Sequence, residues 1–249
     1  MTTIYLIRHG QTDTNRLDGF NGCASNQPLN ETGMQMAQCL TKAFAEVPLD
    51  AIYASSLCRA QQTAQGVCGV RDMEIRIVPD LRETDFGFLD GLDWRTAKQR
   101  YPQACREWIR RVRTFRAPGA GESVREVSVR TVRAFLGILR ENRGKTVAIV
   151  AHGMVLSLLI AKLLGERYEQ YRMYPMMSNG AYQILQIEDD GHFQLDAWQH
   201  IEHLREEWHP KKRHVRNRYR RARACVPGRF FCALLKMTKQ ERKNHGNRS

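Results

Sequence analysis

Apolar and polar positions along the chain recur with two periods, one of strands and one of helices. Thr3–Arg8 (TIYLIR) is apolar and β-rich, and it reads as a strand that breaks off into Arg8, His9 and Gly10. Thr32-Gly33-Met34-Gln35 has the form of a capping box, with Met36, Ala37, Leu40 and Phe44 following at helical spacing. Asp50–Ala54 (DAIYA) is a short strand, after which Ser55 or Ser56 is placed to cap a helix carrying Leu57, Ala60, Ala64 and Val67 on one face. Ile75–Val78 is a third strand, stopped by Pro79, and the polar, glycine-punctuated stretch LRETDFGFLDG comes next. Residues 93–116 read as a helix interrupted at Pro102. Ser123-Val124-Arg125-Glu126 is an S-x-x-E box that opens a long helix with Val124, Val127, Val132, Phe135, Leu136 and Leu139 on one face. Lys145–Ala151 (KTVAIVA) has the look of a fully buried strand and leads into a helix over Met154–Leu164. Ala181–Ile187 and His192–Trp198 alternate around Asp189-Asp190-Gly191, a hairpin signal.

Strands alternating with helices predict an α/β fold, a three-layer sandwich with a mostly parallel central sheet flanked by helices, plus a late antiparallel hairpin. At 249 residues and 42% hydrophobic, the chain has material for a sizeable core. No run reaches the roughly 18 apolar residues of a membrane span. The opening MTTIYLIRH lacks the basic and apolar regions of a secretory signal, so a cytoplasmic location is expected. Seven cysteines without a CxxC spacing are then expected to be reduced thiols. Cys105 to Arg111 matches the C-x5-R spacing of cysteine-dependent phosphatases, but it lacks the glycine a phosphate loop wants and reads as helix.

Charge divides the chain. Residues 205–249 hold 15 Lys and Arg against 3 Asp and Glu, a net of +12, whereas residues 1–204 are near neutral with 24 against 23. The expected organisation is a catalytic domain over 1–204 and a basic tail over 205–249. The tail reads as a solvated appendage. Its candidate partner is an anionic surface, either membrane or nucleic acid, and RFFCALLKM within it is too short to span a bilayer. His200, His203, His209 and His214 follow no known ligand pattern and read as a solvated polar helix, not a metal site.

The chemistry lies where the strands end. In α/β sheets ligands bind outside the carboxyl ends of the strands. The first strand ends in Arg8-His9-Gly10, the second in Ser55-Ser56 with Arg59 a turn later, the third is followed by Glu83, and the fourth ends in His152-Gly153. Two histidines, two arginines and a glutamate are therefore expected on one edge of the sheet. Guanidinium forks suit a dianionic phosphoryl group. An imidazole beside them can attack phosphorus, and a carboxyl group can protonate the leaving oxygen and later activate water. Gly10 and Gly153 would let backbone approach the anion. Nothing in this set requires a metal or another cofactor.

Arg8-His9-Gly10, with Asn15 six residues past the histidine, resembles the signature of the histidine phosphatase superfamily, also called phosphoglycerate-mutase-like. The resemblance continues through PLNETG (28–33), SSLCRAQQTA (55–64), LRETDFG (81–87) with Gly91, PGAGES (118–123) and AHG (151–153), and spans about residues 2–190. It implies a nucleophilic His9, a second histidine His152 that stabilises the transferring phosphoryl group, phosphate clamps Arg8 and Arg59, a phosphate contact at Asn15 and an acid–base residue at Glu83. Asp85, two residues on, competes for that last role. The implied activity is hydrolysis of small phosphomonoesters through a phosphohistidine, in a branch resembling broad-specificity and alpha-ribazole phosphatases. A cofactor-dependent phosphoglycerate mutase, for which Arg110-Arg111 would be the paired arginine, and a non-catalytic phosphate-binding scaffold remain alternatives. The loop GFNGCASNQPL (19–29) departs from the family's usual form, which leaves the substrate open.

Overall fold

In the computed structural model of the chain, residues 1–119, 121–173 and 176–210 are described. Six strands form one sheet: β1 (Thr2–Arg8), β2 (Ala51–Ala54), β3 (Ile75–Ile77), β4 (Thr146–Ala151), β5 (Tyr182–Ile187) and β6 (Phe193–Leu195), in spatial order β3-β2-β4-β1-β5-β6. The first four strands of that order run parallel. β5 is antiparallel to β1, and β6 is antiparallel to β5. This is the mostly parallel sheet with a late hairpin that the alternation predicts.

The helices are α1 (Asp13–Arg16), α2 (Glu31–Ala43), α3 (Cys58–Cys68), α4 (Trp94–Arg100), α5 (Pro102–Arg110), α6 (Val124–Glu141) and α7 (Gly153–Leu163). Period-two alternation in the strands divides the core between the two faces of the sheet. Leu6, Tyr53 and Ile149 pack with α6 and α7, whereas Ile7, Ile52 and Val150 pack with Leu40 of α2 and Val67 of α3. Every residue of α7 except Lys162 is buried, which explains its nearly continuous apolar sequence. The Ser123–Glu126 capping box is present, with Ser123 Oγ accepting from the Glu126 amide and the Glu126 carboxylate accepting from the Ser123 amide. Pro102 occupies the first turn of α5, where no helical hydrogen bond is lost, so the interruption at this point is a boundary between two helices.

Several local expectations are corrected. α2 is capped by Asn30, whose Oδ1 accepts from the Gly33 amide at 2.9 Å, and Thr32 lies inside the first turn. α3 starts from Leu57 without a side-chain cap; Ser55 and Ser56 lie before it, and Ser55 is used elsewhere. Residues 199–210 form no polar helix. His200 bridges Tyr182 in backbone pairing and stacks on its ring at 4.9 Å, and a single 3-10 turn follows at Glu206–Trp208. His214 and residues 211–249 of the expected tail lie outside the described residues. Cys105 is buried in α5, and burial pushes its thiol up, away from a nucleophilic thiolate.

Candidate active site

β1 sits between β4 and β5, and its last residues carry the first two functional side chains. The His9 amide donates to the Ala151 carbonyl at 3.0 Å, and the Arg8 amide to the Ala181 carbonyl at 3.0 Å. His9 is 2% exposed, and its Nδ1 lies 2.6 Å from the Gly10 carbonyl. A carbonyl only accepts, so Nδ1 carries the proton and Nε2 keeps a free lone pair. The His152 ring, contributed by the residue that caps α7, stands with its centroid 5.1 Å from that of His9. Its Nε2 is 2.7 Å from Ser55 Oγ.

Arg59 enters from the first turn of α3 and is wholly buried. One of its nitrogens, Nη2, donates to the carbonyls of Asn21 and Gly22, at 3.2 and 2.9 Å. Arg8 Nη1 donates to the Met177 carbonyl at 2.5 Å. Among the described residues, four buried nitrogens here have no protein partner: Arg8 Nε, Arg59 Nε and Nη1, and His152 Nδ1. Buried donors left unmade cost about 1–3 kcal/mol each. Four of them beside one histidine describe a cradle for an anion with several acceptor oxygens.

The same cations set the electrostatics. Burial first, then the charges of Arg59 and Arg8, hold the His9 imidazole well below the ordinary histidine range, against a smaller opposing pull from the Gly10 carbonyl. His152 is depressed likewise, by burial first and then by Arg59 and its neighbours. Burial lowers Arg8 to about 10, with Glu83 opposing the shift. Both arginines are thus cationic at neutral pH and both histidines neutral.

Glu83 and Asp85 part company in the structure. The Glu83 carboxylate accepts from the Thr84 amide at 2.9 Å and from the Met154 amide at 3.1 Å, and it lines the cavity that holds His9. Asp85 does not line that cavity; its Oδ1 accepts from the Gly87 amide. The Glu83 loop is braced by Arg130, a residue the sequence pattern does not single out. Its guanidinium donates to the carbonyls of Asp80, Arg82 and Glu83 at 2.9, 2.7 and 3.1 Å and to both carboxylate oxygens of Glu122 at 2.8 Å. Asn15 lines the cavity as well, its Oδ1 accepting from Thr12 and from Asn179 Nδ2 at 3.2 Å. Asn179 also donates to the carbonyls of His9 and Gly10, another role invisible in local sequence.

Gly10 and Gly153 also meet close neighbours within the fold. A Cβ on Gly10 would come within 2.7 Å of the Gly33 carbonyl oxygen, so this glycine lets β1 approach α2. A Cβ on Gly153 would strike the Met176 side chain and stand 3.1 Å from Arg8 Nε. At Gly10 the neighbour is rigid backbone, whereas at Gly153 it is the flexible end of Met176, and neither glycine lines the cavity.

The cavity has a volume of about 240 Å³. Its walls above the polar floor are Phe20, Phe86, Trp94, Trp108, Tyr171 and Met176. Phe20 stacks on Trp94 at 5.5 Å, and Phe86 meets Trp108 edge-on at 5.5 Å. Arg110 and Arg111 are not part of its lining. Among the described residues, Cys23, Asp85 and Asp90 form the one group spaced to hold an ion. They lie outside this cavity, and the Asp90 oxygens already accept from the amides of Gly22 and Ala24.

A mostly parallel sheet carrying two histidines and two buried arginines past its strand ends defines an enzyme that handles phosphoryl groups. The chain belongs to the histidine phosphatase superfamily (branch 1), whose profile matches residues 4–201. It is 28% identical over 207 residues to the metal-independent phosphoserine phosphatase of Arabidopsis thaliana, covering 82% of this chain and 84% of that protein. It is 32% identical over 171 residues to the adenosylcobalamin/alpha-ribazole phosphatase of Escherichia coli, with 65% and 79% covered. It is 35% identical over 175 residues to the 2,3-bisphosphoglycerate-dependent phosphoglycerate mutase of Bartonella henselae, with 68% and 84% covered. Among solved structures, Bacillus stearothermophilus YhfR superposes with a TM-score of 0.73 at 33% identity, covering 79% of this chain and 96% of that one.

Proposed function

We propose that this chain hydrolyses small phosphomonoesters by way of a phosphohistidine on His9. The observation that carries the reading is the set of four unpartnered buried nitrogens around a histidine whose Nε2 lone pair is free. In the first step Nε2 attacks phosphorus, the P–O bond to the leaving group breaks, and the protonated Glu83 gives its proton to the departing oxygen. In the second, the Glu83 carboxylate takes a proton from water, hydroxide attacks phosphorus, and the P–N bond breaks to release phosphate and neutral His9. Arg8 and Arg59 neutralise the equatorial oxygens throughout. Ser55 donating to His152 Nε2 places the proton of that ring on Nδ1, where it becomes a further donor to the phosphoryl group. Asn15, with its Oδ1 already engaged, offers its Nδ2 hydrogens to the same anion. These roles use side chains alone, and the reading assigns the reaction no metal or cofactor. Its setting is the cytoplasm, and residues 1–204 carry it.

Hydrolysis is favoured over mutase activity because Arg110 and Arg111 stand outside the cavity, and among the described residues its lining holds no second guanidinium pair for a substrate carboxylate. The test is burst labelling with a ³²P-phosphomonoester, quenched in alkali, beside steady-state release of phosphate in EDTA. The parent should label and turn over, and His9→Ala should lose both. Label retained in His9→Ala refutes the nucleophile, and isomerisation of 3-phosphoglycerate far faster than phosphate release refutes the hydrolase.

A further inference from the structure

The near neutrality of residues 1–204 conceals a strong local asymmetry. Residues 94–116, which contain α4 and α5, hold eight arginines and lysines against one acid, a net of +7. The rest of residues 1–204 is therefore net acidic. Three of those arginines border an open surface hollow. This second cavity, of about 600 Å³, is lined by Arg110 at the end of α5, by Arg111 and Arg113 just past it, and by Arg167, Glu169 and Gln170 at and just before the start of the segment Tyr168–Met173. It contains no histidine and is separate from the catalytic cavity.

Ordinary solvated arginines on a helix face pair with neighbouring acids or spread over a convex surface. Three of these four have no such acid, and all four border one surface hollow. Arg113 Nε has a carboxylate at 3.5 Å, from Glu169, and among the described residues no carboxylate lies within 4.0 Å of Arg110, Arg111 or Arg167. Like charges gathered in a hollow repel one another, and a bound anion relieves that repulsion. The donors are all guanidinium, whose planar forks match phosphate oxygens two at a time. The volume lies in the range of small-molecule sites and gives no long track for a nucleic-acid backbone.

We propose that this cavity is a second anion site, separate from the catalytic cradle, that takes a small anion carrying two or more phosphate groups. The segment Tyr168–Met173 reaches both cavities, with Glu169 and Gln170 on this one and Tyr171 on the catalytic one. Arg172 Nη1 donates to the Ile109 carbonyl at 3.2 Å, its Nε to Tyr171 Oη at 3.0 Å, and its guanidinium lies 4.4 Å over the Trp108 ring. Trp108 and Tyr171 line the catalytic cavity. An anion drawn onto Arg110 and Arg111 therefore pulls on the residues that hold those two rings, and the site is placed to sense a ligand and adjust the catalytic walls.

The experiment titrates inorganic tripolyphosphate into the full chain by calorimetry, with excess orthophosphate occupying the catalytic cradle. Three proteins are compared: the parent, Arg110→Ser/Arg111→Ser, and the charge-matched Arg125→Ser/Arg133→Ser on exposed positions of α6. Any binding by the basic tail is common to all three. Equal melting temperatures establish that the variants are folded. The parent and the α6 variant should bind alike, and Arg110→Ser/Arg111→Ser should bind about tenfold more weakly or worse, the loss expected when charge-assisted contacts disappear. Equal weakening in both variants would reduce the effect to net charge and overturn the site, as would no difference among the three. The readout is binding, so a failure here is distinct from a failure of the His9 chemistry.

Discussion

Arg130 is the side chain whose removal tests most directly how the acid–base loop is held. It is 7% exposed, and its guanidinium ties three carbonyls of that loop to the Glu122 carboxylate. Arg130→Met keeps most of the volume and removes every one of those bonds. Breaking a buried ion pair by deleting one partner costs about 3–5 kcal/mol. Here Glu122 keeps Arg82 Nη2 at 2.9 Å and the Asp85 amide at 3.0 Å, so the lower end, about 3 kcal/mol, applies. For a chain of this size that is a fall of about 6–12 °C in melting temperature. The catalytic effect should depend on the leaving group. A loosened Glu83 donates its proton less well, which matters for an alkoxide and little for p-nitrophenolate, so turnover of an alkyl phosphate should fall about 10–10² fold further than that of p-nitrophenyl phosphate. Thermal unfolding and paired kcat measurements decide the matter. An unchanged melting temperature would refute the energetic reasoning, and equal losses on both substrates would refute the link from Arg130 to the acid.

Three further outcomes are expected. Because His9 and His152 titrate below the usual 6.5 when folded, the unfolded chain takes up protons that the folded chain refuses. Stability should therefore be constant above about pH 6.5 and fall below it, by up to about 1.4 kcal/mol per pH unit for each histidine; urea midpoints for the parent and His9→Asn between pH 7 and 5 should show the smaller slope in the variant. Ser55→Ala removes the partner of His152 Nε2 and should lower kcat about 10–10² fold with little change in KM, and steady-state kinetics showing the loss in KM alone would contradict the tautomer assignment. The aromatic walls, and a lining whose arginines end with Arg8, should favour an aryl phosphate over phosphoserine by about tenfold or more in kcat/KM, and a preference for phosphoserine would show that a carboxylate finds a partner there after all.

Sheet, helices and cradle are legible in the sequence because each is announced locally. A buried strand reads as an apolar run, and Arg8, His9, Arg59, Glu83 and His152 each follow such a run by a fixed few residues. The supports are not legible, for a physical reason: they act across long separations. Ser55 reads as a helix cap because that is the nearest use for a serine before a helix, yet its hydroxyl serves a ring 97 positions away. Arg130 reads as one more polar position on α6, and only the folded chain brings it under the loop from Asp80 to Glu83. Gly10 reads as room for an anion, and its packing on another glycine's backbone shows only in the fold. The cap of α2 shifted by two residues because Asn30 and Thr32 both suit a helix start, and the amide that Asn30 reaches decides between them.

The placement of β1 has a consequence for how such an enzyme can change. The backbone of Arg8 and His9 is pinned on one flank by Ala151 and on the other by Ala181, and Gly180 and Asn179 close over the carbonyls. By contrast, all six apolar cavity walls (Phe20, Phe86, Trp94, Trp108, Tyr171 and Met176) come from short helices and connecting segments beyond the sheet. Mutations that reshape those walls leave the strand pairing intact, while mutations that disturb the cradle must break the central sheet. Selection can thus explore new leaving groups at small risk to the reaction itself, and a single scaffold can diversify by editing its periphery.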